Sequence, residues 1–147
     1  MIQFYNQISE SQQECPEQTA PWLSEVIKNE GFKEGEINYI FVDDDTLLEK
    51  NKEYLNHDTY TDIITFDTSD EPGEISGDIY ISTDRVIENS REYGVPYPEE
   101  MHRVLVHGIL HLCGYDDKTE EEKKKMREKE DYYLSQLDFS GMLQVED

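Results

Sequence analysis

The sequence is poor in cysteine and lacks any long apolar run. Its 147 residues include two cysteines, Cys15 and Cys113, too few for the disulfide framework of a small secreted protein. No apolar run approaches the roughly 20 residues that a transmembrane helix requires. The N-terminus also lacks the basic and then apolar segments of a secretory signal. These absences predict a cytoplasmic protein with reduced thiols that does not associate with membranes.

Basic residues are also scarce. Thirteen Lys and Arg against 35 Asp and Glu give a formal net charge of -22. Because phosphate binding normally rests on Lys and Arg, this balance argues against a general affinity for nucleic acid. The aromatic fraction of 11% argues against a disordered acidic chain. Over half of the cations lie after residue 100, mainly between Lys118 and Lys129, and we interpret them as a solvated helix face whose lysines pair with glutamates.

Length and patterning predict one domain over residues 1–147. Strand and helix signals alternate in the order β-α-β-α-β-β-α-α-α, which predicts an α/β (α+β) fold in which a single small mixed sheet of about four strands is covered by helices. We expect a polar loop at about residues 6–18 and a frayed tail at 140–147. The predicted strands are Ile2–Tyr5, Ile37–Val42, Thr61–Phe66 and Gly77–Ser82.

The candidate chemistry lies at the end of an apolar helix near the centre of the predicted fold. His107 and His111 are four residues apart, so their Cβ atoms lie about 5–6 Å apart on one face and both imidazoles can reach one metal ion. Gly114 should end the helix and return the chain, so that Asp116 or Asp117 supplies a carboxylate. Two His and one carboxylate leave one position open, which is typical of catalytic zinc. Two histidines that only form hydrogen bonds are the alternative, but polar rings without a role are costly in an apolar helix.

Three residues near this pair are not interpreted as metal ligands. Gly108 stands where zinc peptidases have their catalytic Glu, which argues against a peptidase. We expect this glycine to leave space beside the metal for a substrate group or another backbone. Cys113 and His102 lie off the face of the pair; we predict a buried thiol for the first and a solvent-facing ring for the second.

The segment resembles the YbeY-type endoribonucleases, metal-dependent enzymes of bacterial ribosomal RNA maturation and ribosome quality control. Their signature, His-Gly-x-Leu-His-Leu-x-Gly-Tyr-Asp-His, is matched over His107–Asp116, and Thr61–Phe66 and Gly77–Ile79 resemble two strands of the family. Asn51 and Tyr54 resemble the preceding helix, so the resemblance spans about residues 36–137. It implies an enzyme that cleaves ribosomal RNA, whose partners are the ribosome or ribosome-associated proteins; we expect a monomer.

Two positions depart from the family pattern. The third ligand is usually His, and here it is Asp117, a competent zinc ligand that adds negative charge and relaxes selectivity toward harder metals such as manganese. An Arg of the family is replaced by Leu55. His57, if protonated, could contact phosphate in its place, although an ordinary loop histidine is the alternative.

The sequence therefore predicts a zinc-dependent, single-strand-specific endoribonuclease. Either water activated at the metal attacks phosphorus, or a ribose hydroxyl attacks while the metal stabilises the developing charge. Asp116 is the nearest candidate for proton transfer, with Asp62 and His57 as further candidates. Two alternatives stay open: a metallohydrolase acting on peptides or small esters, and a non-catalytic ribosome-assembly protein with a structural metal. The predicted ligands of one Zn²⁺ are His107, His111 and Asp117.

Overall fold

The structure, a computed structural model, describes residues 1–7, 17–55 and 61–137, and the backbone alone of Leu55. Cys15, His57, most of the predicted polar loop and the predicted frayed tail lie outside the described residues. In the described ranges the elements follow the predicted order. They are β1 (Ile2–Asn6), α1 (Thr19–Asn29), β2 (Lys33–Val42), α2 (Asp44–Leu55), β3 (Ile63–Asp67), β4 (Glu74–Ser82), α3 (Thr83–Tyr93), α4 (Tyr97–Leu112) and α5 (Glu120–Leu134).

The four strands form one mixed sheet in the order β1-β2-β4-β3. The pairs β1–β2 and β2–β4 are parallel, and β3 pairs antiparallel with β4 at the edge. This pairing follows from the connections, because a short loop can only return the chain antiparallel, whereas parallel neighbours need a longer crossover. The predicted mixed α/β fold is confirmed, and the edge strand β3 packs against α4, the helix that carries His107 and His111.

The main core lies between one face of the sheet and helices α1, α4 and α5. In β4 every second residue is buried, and Ile79 and Ile81 on that face are fully buried. A smaller cluster on the other face, including Ile40 and Leu47, lies under α2. Helix α4 packs against α1, α3, α5, β3 and β4, which explains why its sequence is apolar on nearly every side.

The burial of α4 shows that the solvent-facing position predicted for His102 is wrong. Its side chain is 2% exposed because α1 covers that side of the helix. Nδ1 lies 2.7 Å from the Pro98 carbonyl oxygen, so it must donate, and Nε2 then accepts from the Thr19 hydroxyl at 2.7 Å. Burial lowers the pKa of His102, in keeping with a neutral ring.

No helix within the described ranges is both long and apolar enough to cross a membrane.

Candidate active site

A cavity of about 920 Å³ lies between α4, α5, the C-terminal part of α3 and the start of β3. Helix α4 contributes residues spaced three or four apart, which places them on one face of the helix. This face carries the predicted histidine pair and runs the length of the cavity. The α4 residues that line it are Glu100, Arg103, Val104, His107 and His111.

His107 is held at both ring nitrogens. Nδ1 lies 2.7 Å from Glu130 Oε2, and Nε2 lies 3.3 Å from Asp117 Oδ2. A carboxylate can only accept, so Nδ1–H donates to Glu130 and Nε2 faces Asp117. A histidine whose second nitrogen donates to a carboxylate is the usual arrangement of a metal-ligating imidazole, because the carboxylate fixes the tautomer and the ring orientation.

The surrounding carboxylates determine the protonation of His107. Burial alone would lower its pKa, but the hydrogen bond and charge of Glu130, together with the charges of Asp117 and Asp62, outweigh burial and raise the pKa. Without a metal, the ring therefore holds its second proton more strongly than an ordinary histidine does. A cation at Nε2 would replace this proton.

Arg103 positions the carboxylate that holds the ring. Its Nη1 donates to Glu130 Oε1 at 3.0 Å and its Nη2 donates to Asp131 Oδ1 at 2.7 Å. The side chain of Glu130 is 7% exposed, so its two oxygens are shared between the guanidinium and His107 away from bulk water. We did not predict this contribution of Arg103 and Glu130. Arg103 lies one turn before His107 on the same face of α4, which was the one available signal, whereas Glu130 is one of many acids in the sequence.

The turn after α4 follows the prediction. Gly114 adopts a left-handed conformation with φ 105°, which favours glycine and ends the helix. The Tyr115 hydroxyl donates to Glu30 Oε1 at 2.7 Å, which anchors the returning chain to the end of α1. The following residues therefore come back to the cavity, where Asp116 and Asp117 both lie.

The cavity collects five of the six candidate residues, and His57 lies outside the described ranges. His111 and Asp116 line its wall with exposed side chains, and Asp62 enters from the start of β3. Burial raises the pKa of Asp62, the charge of His107 opposes this, and the charges of Glu130 and Asp117 add to the increase. Asp62 therefore has a stronger tendency than an ordinary aspartate to accept a proton.

The donor types fit a zinc ion, although the side chains are not gathered around one point. Within residues 1–7, 17–55 and 61–137, no three His, Cys, Asp or Glu side chains are close enough together to hold a metal. His107 and Asp117 already face each other, and the exposed side chain of His111 lines the same cavity. Cys113 is not a competing ligand, since burial raises the pKa of its thiol to about 12.

Gly108 does not have the role expected from the sequence. It is buried, and a Cβ atom added there would lie 3.0 Å from Cδ1 of Ile79 and 3.3 Å from Cδ1 of Ile63. The glycine therefore makes room for side chains of the sheet, and the expected space beside the metal for a substrate group or another backbone is wrong. Position 108 is rotated about 100° from the histidine face on a helix of 3.6 residues per turn, which turns it toward β3 and β4.

The interpretation of the C-terminal cations as a solvated face is correct for the exposed Lys118, Lys123–Lys125 and Arg127, whereas Lys129 is partly buried against Glu30. Lys124 and Lys125 are exposed and do not line the cavity. Lys118, Lys123 and Arg127, which we call the cation wall, line the same cavity as His107.

Comparison with known proteins identifies the family. The family model for Endoribonuclease YbeY matches residues 2–138. The chain belongs to the YbeY endoribonuclease family. It is 57% identical over 113 residues to Endoribonuclease YbeY of Flavobacterium psychrophilum, an alignment that covers 77% of this chain and 80% of that protein. It is 46% identical over 118 residues to the protein of the same name from Bacteroides thetaiotaomicron, with 80% and 85% covered.

The fold is supported by a solved structure. The solution structure of TM1509 from Thermotoga maritima is 33% identical to this chain, with a TM-score of 0.63, and the match covers 92% of this chain and 87% of that one. The family predicted from the signature and the fold predicted from the order of strands and helices are confirmed. In this chain His107, His111, Asp116 and Asp117 line the cavity, and the Gly-Tyr turn between them returns the chain to it, which explains their spacing.

Proposed function

We propose that this protein is a zinc-dependent endoribonuclease that cleaves single-stranded RNA, acting in ribosomal RNA maturation and ribosome quality control. Membership of the YbeY family supports hydrolysis of RNA. The observation that carries the zinc proposal is the ring of His107, whose Nδ1 donates to Glu130 while Nε2 lies 3.3 Å from Asp117. His111 lies one helical turn further along the same wall.

One zinc ion would be held by His107, His111 and Asp117. When bound, zinc supplies Lewis acidity that polarises a phosphoryl oxygen and lowers the pKa of water. An aspartate as third ligand makes the site more negative than three histidines would, which favours binding of the cation. The three protein ligands leave one tetrahedral position for substrate or water.

The remaining side chains have separate roles. Glu130, fixed by Arg103, keeps His107 in one tautomer and orientation. Asp62 and Asp116 border the same cavity and are the candidates that accept the proton of the attacking water or ribose hydroxyl. Asp62 suits this role because burial raises its pKa. The cavity lies between α3, α4, α5 and the start of β3, and a flexible single strand enters such a recess more readily than a stiff duplex.

The net charge of -22 constrains how the substrate arrives. Free RNA should bind weakly at physiological salt because most of the surface repels phosphate. We propose that a monomer in the cytoplasm receives its RNA on the ribosome or from ribosome-associated proteins. A nanomolar affinity for bare RNA at physiological salt would contradict this mode of delivery.

The zinc site is tested with His107→Ala and His111→Ala, using Cys113→Ala as the matched control. The control removes a thiol two residues from His111 that does not line the cavity. We expect both histidine variants to stay folded, to lose bound zinc and to lose cleavage of a single-stranded ribosomal RNA fragment, whereas the control keeps both. Full zinc content and full cleavage in folded His107→Ala would show that the site is wrongly assigned.

The alternative of a structural metal makes a different prediction. A structural zinc is bound by four protein ligands, and removing it lowers the melting temperature sharply. A catalytic zinc in an open cavity should leave the melting temperature much less affected while cleavage stops. Chelation followed by thermal denaturation and an RNA cleavage assay on the same sample therefore separates the two.

A further inference from the structure

The cavity holds a larger share of the basic residues than of the acidic ones. Four of the 13 basic residues line it, together with five of the 35 acids. Arg103 is occupied by Glu130 and Asp131. The other three form the cation wall.

Two members of the cation wall are placed by the helical repeat of α5. The α5 residues that line the cavity are Lys123, Met126, Arg127 and Glu130, at the spacing i, i+3, i+4, i+7. One face of α5 therefore points into the cavity, and it presents two cations and the carboxylate that orients His107. Lys124 and Lys125 lie between these positions in sequence and point elsewhere.

The charges of the cation wall are available to a ligand. Among the described residues, Lys123 approaches Glu120 at 3.9 Å, and the Glu120 side chain is 97% exposed, so water screens this pair. Lys118 and Arg127 form no ion pair within the part of the chain that the structure describes. All three side chains are exposed, so each can reach an anion without breaking a buried interaction.

The cation wall lies beside the reactive part of the cavity. Glu130 is three residues after Arg127 on α5, and its carboxylate contacts His107. Lys118 directly follows Asp117, which faces the same ring. An anion bound between Lys118 and Arg127 would therefore lie next to the predicted zinc ligands.

We propose that Lys118, Lys123 and Arg127 bind the phosphates that flank the cleaved bond and hold the RNA backbone along α5. This inference rests on the proposed function and extends it, since it assigns the residues that position the substrate. It also explains how a chain with this net charge can engage RNA at one place only. Contacts to phosphate position the strand and carry no sequence information, so these residues should affect affinity for all sequences alike.

The test is the double variant Lys123→Glu/Arg127→Glu, compared with the control Lys124→Glu/Lys125→Glu. The two variants change the net charge by the same amount on the same helix, and all four positions are exposed. We expect the first variant to raise KM for a short single-stranded RNA at least tenfold with kcat little changed, because flanking contacts act on binding. Its plot of log kcat/KM against log salt should be flatter by about 1.4, since each phosphate contact on a single strand contributes about 0.7.

The control should keep KM within about twofold of wild type and keep the salt slope. An equal rise of KM in both variants would show a general charge effect and overturn the proposal, as would an unchanged KM in the first variant.

A binding assay separates this proposal from the proposed function. Fluorescence anisotropy with a nuclease-resistant 2′-O-methyl oligonucleotide, in chelator and at low salt, requires no cleavage. Weaker binding by the first variant alone would support the cation wall even if the wild type proved inactive, and equal binding by all three proteins would overturn it.

Discussion

Glu100 should make the protein less stable as the pH rises through neutrality. Its side chain is 5% exposed on the wall of the cavity. Burial is the main cause that raises its pKa, to about 7 from an ordinary value of 4.5. Arg103 and Arg127 oppose this increase, and the charges of Asp62 and Glu130 add to it.

The sign and size of the effect follow from linkage. A carboxyl whose pKa is higher in the folded state contributes most stability below its unfolded pKa, and this contribution is lost as pH rises from about 4.5 to about 7. A shift of about 2.5 units corresponds to roughly 3 kcal/mol at most. Replacement of Glu100 by glutamine removes the titration and keeps the shape of the side chain. The variant should therefore match wild type near pH 5 and exceed its free energy of unfolding by up to about 3 kcal/mol at pH 8.

Urea denaturation at pH 5, 6, 7 and 8, with chelator present so that no metal adds charge, measures this difference. Glu99→Gln is the matched control, since it makes the same chemical change at the neighbouring position outside the cavity. A difference between Glu100→Gln and wild type that stays constant from pH 5 to pH 8 would refute the reasoning.

Three further predictions concern single contacts. Glu130→Gln should weaken zinc binding by about 10–100-fold in chelator competition, because the amide holds His107 less firmly, and an unchanged affinity would contradict the role given to this carboxylate. Gly77→Ala should destabilise the protein by about 1–3 kcal/mol in urea denaturation, because the new Cβ would lie 2.9 Å from the Phe66 carbonyl oxygen; a neutral effect would show that the strands can separate. Thr119→Ala should lower the free energy of unfolding by about 1 kcal/mol in the same assay, since it removes the side chain of a capping box. An unchanged free energy of unfolding would mean that the capping box does not stabilise the protein.

The sequence predicted the fold because each element carries its own signal. Burial alternates along β4, and a capping box at Thr119 marks the start of α5. The one helix whose faces could not be assigned was α4, which is apolar on nearly all sides because three helices and the sheet surround it. This is why the expectations for His102 and Gly108 were wrong, although the helix itself was predicted correctly.

The candidate site likewise has one part that the sequence predicts and another part that it does not. His107 and Asp117 could be paired from local spacing, since a glycine turn returns the chain within ten residues. The contact of Glu130 with His107 could not be predicted, because Glu130 lies 23 residues after His107 and its role depends on how α5 packs against α4. The cation wall could not be predicted for the same reason. In a mixed run of Lys and Glu, the residues that face the cavity are known only when the packing of the helix is known.

The central claim is that the cavity holds a catalytic zinc that cleaves RNA, and a zinc titration tests it most directly. Chelated, folded protein is titrated with zinc while the initial rate of cleavage of a single-stranded ribosomal RNA fragment is followed. We expect no cleavage without metal and a rate that rises linearly to a plateau at one zinc per chain. Full cleavage by the chelated protein, or none at any zinc ratio, would contradict it.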